Sequence, residues 1–82
     1  MRMDETWAIS EQRIRGFFQS QSDVKESEGE FFFGSCRITL TALPDTHGVF
    51  AHPRTVVCME GEEEELRVIH RRFYLRFLSA GG

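Results

Sequence analysis

The chain has 82 residues, 40% of them hydrophobic and 28% charged, with a formal net charge of −3. That balance belongs to a globular protein and excludes a disordered or fibrous one; at this length it predicts one domain over 1–82, burying only about 60% of the surface its unfolded chain would expose. The acidic balance argues against coating a polyanion. No apolar stretch reaches the roughly 20 residues a membrane helix needs, and Met1-Arg2-Met3-Asp4-Glu5 leads into no apolar signal segment, so a cytoplasmic protein without membrane contact is expected.

Taken in chain order, the pattern predicts a helix over about 5–20. Trp7, Ile14 and Phe18 fall on one face at spacings of seven and four, with Asp4 as N-cap or Ser10 as a later start. Residues 19–30 are polar and aperiodic and read as a surface connection. The period then changes to two. A strand over about 30–33 (Glu30-Phe31-Phe32-Phe33) is followed by Gly34-Ser35, suited to the centre of a type II′ hairpin turn or to a bulge. Next comes the alternating run Cys36-Arg37-Ile38-Thr39-Leu40-Thr41-Ala42, a strand over about 36–43 with one wet face. Pro44, Asp45 and Gly48 mark a turn, and Val49-Phe50-Ala51 an edge segment or separate short strand. A third strand covers about 54–59.

The last element is a helix over about 62–79. Leu66, Ile69, Phe73 and Phe77 form a core-facing stripe at spacings of three, four and four. Glu62 to Glu65 fill its first turn and the arginines lie toward its end, an order that complements the helix dipole. The order helix, three strands, helix predicts an α+β two-layer sandwich, an antiparallel three-stranded sheet with both helices on one face.

Cys36 and Cys58, both in apolar runs, are expected to be reduced core residues. With His47, His52 and His70 they are the candidate metal ligands, but no pair has the short spacing of a structural zinc site, so no metal and no cofactor are assigned. Asp45, His47 and Ser35 sit in turns without a spacing that joins a nucleophile to a base, so no catalytic residue is assigned and a non-enzyme is expected.

The functional signal is an apolar excess. Phe31, Phe32 and Phe33 are consecutive in a strand, so their rings point to both faces of the sheet and at least one needs cover beyond the two helices. Opposite the core stripe of the last helix lie Val68, Leu75 and Leu78. Phe31, Phe32, Phe33, Val68 and Leu75 are therefore the expected interaction surface, and the expected partner is a second copy of the chain or another protein. Loop residues such as Val49 and Phe50 folding over the Phe cluster would account for the same excess.

The alternative is nucleic-acid or phosphoanion binding by Arg67, Arg71, Arg72 and Arg76, beside His70 and Tyr74. The expected element order resembles that of double-stranded RNA-binding domains. Those present lysines at the start of the last helix, where this chain has Glu62 to Glu65, and the glutamates disfavour a nucleic-acid backbone. The terminal Gly81-Gly82 is similar to the tail of ubiquitin-like proteins and sulfur carriers, which end in an extended strand where this chain has a helical period.

Overall fold

The computed structural model describes residues 1–44 and 52–80. Seven elements follow in order: β1 (Arg2–Trp7), α1 (Glu11–Gln19), β2 (Lys25–Ser27), β3 (Glu30–Phe33), β4 (Cys36–Ala42), β5 (Thr55–Glu60) and α2 (Glu63–Ala80). The five strands form one antiparallel sheet in the order β1-β5-β4-β3-β2. The α+β class and the two helices agree with expectation. The three-stranded sheet and the element order do not, and with the order goes the resemblance to double-stranded RNA-binding domains.

Both extra strands come from segments that pattern alone assigned elsewhere. Residues 2–7, expected to open a helix, pair with β5 from Arg2↔Glu60 to Trp7↔Thr55. The helix starts at Ser10, whose side chain accepts the Arg13 backbone N–H at 3.3 Å. Trp7 still reaches the core, packing edge-on to Phe73 at 5.0 Å, but from a strand. Lys25–Ser27, expected to be surface connection, pairs with β3 through Ser27↔Glu30. Glu28 (φ 52°) and Gly29 (φ 79°) fill that two-residue turn, the double positive φ of a type I′ hairpin. The Gly34-Ser35 turn joins Phe33↔Cys36, with φ positive only at Gly34, as type II′ requires.

Alternation divides the sheet cleanly. Met3, Trp7, Phe31, Ile38, Leu40, Val57 and Met59 point to the face that both helices cover. From α1 come Ile14, Phe17 and Phe18, and from α2 the expected stripe of Leu66, Ile69, Phe73 and Phe77, all buried. The rings interlock: Phe18 stacks on Phe73 at 5.7 Å and tilts against Phe31 at 5.3 Å, and Phe17 meets Phe77 at 5.7 Å. Burying large rings is the main stabilising contribution open to a domain of this size, each aromatic removing roughly 150–250 Å² from water.

The junction between sheet and α2 is held by polar bonds. Glu62 caps α2, its carboxylate accepting the backbone N–H groups of Glu64 and Glu65 at 3.1 Å each. The Ser35 hydroxyl donates to Glu65 at 2.6 Å and accepts the Glu62 N–H at 3.1 Å, fixing the β3–β4 turn to the helix start. Gly61, between β5 and α2, has φ 156°, and a Cβ there would lie 2.6 Å from the Cys36 Cα. Only glycine allows this close approach.

Candidate interaction site

The predicted site residues separate into distinct surroundings. Phe31 is fully buried under the helices. Phe33 lies on the same side and is half-buried, with the Arg72 guanidinium over its ring at 5.2 Å. Phe32 faces the opposite side of the sheet, as alternation requires, and is half-buried there. The structure therefore breaks up the triplet: Phe31 is closed off, and Phe32 and Phe33, both half-buried, face opposite sides of the sheet.

Among the described residues that opposite side carries no helix. Register places one row across all five strands: Lys25 beside Phe32, Phe32 beside Arg37, Arg37 beside Glu60 and Glu60 beside Arg2. Part of this row, with Ser35, lines an open concavity of about 680 Å³. Its arginines are paired within the sheet. Arg37 reaches Glu30 at 2.8 Å and Glu60 at 3.8 Å, and Arg2 reaches Asp4 at 3.3 Å. Three basic residues (Arg2, Lys25, Arg37) and three acidic ones (Asp4, Glu30, Glu60) give this face no net formal side-chain charge.

Cys58 also faces this side, which corrects its expected place in the core, whereas Cys36 is buried as expected. Neither is in a disulfide. Burial pushes both thiols above their ordinary value; the carboxylates of Glu65 and Glu62 add to this at Cys36, and donation to Asp4 adds to it at Cys58. Accepting that thiol in turn lowers Asp4. Thiolate, the nucleophilic and metal-binding form, is thus disfavoured at both positions. Among the described residues no three His, Cys, Asp or Glu side chains converge. Asp45, His47 and Val49 to Ala51 lie outside the described residues, as do Gly81 and Gly82.

The predicted α2 surface is open. Val68 is 46% exposed, Leu75 53%, Leu78 53% and Tyr74 41%. Val68, Leu75 and Leu78 follow spacings of seven and three and so share the side turned away from the core. The arginines divide. Arg67 pairs with Glu63 at 2.7 Å, Arg72 takes both Asp23 oxygens at 2.9 Å, and Arg76 lies over the Phe77 ring at 5.4 Å. Arg71 is exposed among the apolar residues of the stripe. The four do not converge on one point, and three are already engaged within the chain.

On the flank of α2 nearest β1, His70 Nε2 lies 2.8 Å from Glu5 Oε1, which also accepts the Trp7 indole N–H at 3.3 Å. Tyr74 packs edge-on to Trp7 at 5.8 Å. Sequence reasoning missed this cluster because it placed residues 5–7 on a helix. The period-two run Met3-Glu5-Trp7 was its only trace. A carboxylate that binds both a histidine and an indole ties α2 to the sheet edge.

These features define an α+β sheet domain with two helices on one face, an exposed apolar helix stripe and a charge-neutral open sheet face. No protein-family model matches the chain, and no curated protein matches it. Among the described residues no helix is long and apolar enough to cross a membrane.

Proposed function

We propose that the chain is a non-catalytic protein-interaction module whose contact surface is the outward stripe of α2. The observation that carries this reading is the presence of three large aliphatic side chains, Val68, Leu75 and Leu78, about half exposed on one helix face while the opposite face of the same helix is fully buried. Single exposed apolar residues are ordinary, but an ordered stripe of them on a rigid helix matches the apolar centre of an interface. Arg71 within the stripe supplies a residue type enriched at binding hot spots. Cytoplasmic location accords with the two reduced cysteines. Anion binding by the arginines is supported less, since Glu63, Asp23 and Phe77 already hold Arg67, Arg72 and Arg76.

A photo-crosslinking residue at Leu75, with one at Thr41 on the open sheet face as control, tests the reading in cells. The expected result is a discrete protein adduct at position 75 that is absent at 41 and lost with Val68→Glu. Equal or absent labelling at the two positions would overturn it.

A further inference from the structure

We infer that β1 pairs with β1 of a second copy, antiparallel and centred on Met3, to join two sheets into one of ten strands.

Among the described residues the edge is open and regular: β1 pairs only with β5, over six residues without a proline or a bulge. Its hydrogen-bonding phase is fixed at one end, where Gly61 N–H donates to the Met1 carbonyl at 2.9 Å and the Met1 nitrogen donates to the Gly61 carbonyl at 3.0 Å. In an antiparallel ladder such doubly bonded pairs alternate with unbonded ones. Odd-numbered residues of β1 therefore bond inward to β5. The N–H and C=O groups of Arg2, Asp4 and Thr6 point out of the sheet, an unpaired row of the kind that templates another strand.

Side chains then select the partner and the register. Arg2, Asp4 and Thr6 lie on the open face and Met3, Glu5 and Trp7 on the helix face, so a register that mixes the two sets is excluded by the pleat. Four two-fold registers fit within the strand, and the one centred on Thr6 sets Thr6 opposite its copy and Glu5 opposite Trp7, with no pair of opposite charges to favour it. One centred on Asp4 opposes Asp4 to its copy, and one centred on Glu5 opposes Glu5 to its copy; like charges directly opposite destabilise. The register centred on Met3 places Arg2 opposite Asp4 of the second copy, twice over, and each of these pairs exchanges two backbone hydrogen bonds. Arg2 and Asp4 already meet within one strand at 3.3 Å and are both well exposed, so in the dimer the four side chains close into one alternating network. Charges usually guard a free edge against pairing. Here they are complementary to themselves.

On the covered side Met3 faces its copy at the two-fold axis, and Trp7, with Tyr74 packed on it, lies four residues from that axis in each copy. The interface is isologous and closes as a dimer. Val68, Leu75 and Leu78 lie on the outward side of α2, so the dimer presents two copies of the proposed contact stripe on one side. It neither requires that reading nor is required by it.

Light scattering on the purified chain and on charge variants tests the pairing. The wild type is expected at about twice its 9.5 kDa monomer mass. Arg2→Asp and Asp4→Arg, each checked for an unchanged circular-dichroism spectrum, should each weaken the dimer by about tenfold or more, because each sets like charges opposite in both pairs. The double swap Arg2→Asp/Asp4→Arg restores opposite charges and should return the dissociation constant to near wild type. Leu75→Glu should leave the mass unchanged, which separates this interface from the α2 stripe. A monomeric wild type at high concentration, or a double swap no better than either single variant, would overturn the proposal.

Discussion

Glu28 adopts φ 52°, in the left-handed region that side chains with a Cβ enter at a cost of about 1–2 kcal/mol. It does so because Ser27↔Glu30 pairing leaves two residues to turn the chain, and a type I′ turn needs positive φ at both. Gly29 meets this requirement freely and Glu28 does not. Asn-Gly is the preferred pair for such a turn, so Glu28→Asn should raise unfolding stability by about 1 kcal/mol, read as a higher urea midpoint at unchanged slope. An unchanged or lower midpoint would show that the turn is not of this type in solution. The turn was hard to read because Glu-Gly is not a typical I′ pair, and the preceding strand, Lys-Glu-Ser, is wholly exposed and carries no apolar alternation. Chain closure onto β3 makes that strand, not its own side chains.

At the scale of elements, α2 was legible because one stripe of four apolar residues has only one helical solution, and β4 because it alternates over seven. β1 was not. Trp7, Ile14 and Phe18 fit one helical face by spacing, yet they reach the same core from a strand and a helix separated by the Ser10 cap. Glu5 obscured the strand period, being a carboxylate on the inward side whose bonds to His70 and Trp7 are visible only in three dimensions. The junction of β3, β4 and α2 was equally hidden, and it titrates. Glu65 accepts the hydroxyl and backbone N–H of Ser35, and both bonds hold its carboxyl below the ordinary value of 4.5. A folded-state value lower than the unfolded one means this contact stabilises above pH 4.5 and is lost as pH falls through the folded value. Glu65→Gln should therefore flatten the fall in urea midpoint as pH drops below 4.5 relative to wild type, and Ser35→Ala should flatten it in part. Superimposable pH profiles would show that the contact is not formed.

Across the whole molecule, the apolar excess that pointed to a second surface is mostly consumed in the first. Of the three consecutive rings, Phe31 is core, Phe33 lies under Arg72 and only Phe32 faces the open side, so the candidate surface of the sheet shrinks while that of α2 stands exposed. The concentration of rings on the covered face has a consequence for cooperativity. Phe73 touches Trp7, Phe17, Phe18 and Phe77, linking β1, α1 and α2 through one side chain. A chain of this length has about 4–12 kcal/mol of total stability at the usual value per residue, and emptying a buried Phe site costs about 3–5. Phe73→Ala should thus take most or all of the stability at once, with the near-ultraviolet signal of Trp7 and the helical signal lost in a single transition. Phe73→Leu keeps much of the volume and should remain folded with a lower midpoint. Separate transitions for the two signals would mean that β1 and the helices are stabilised independently. The links from Phe73 predict one transition, because β1, α1 and α2 all bring aromatic rings against it.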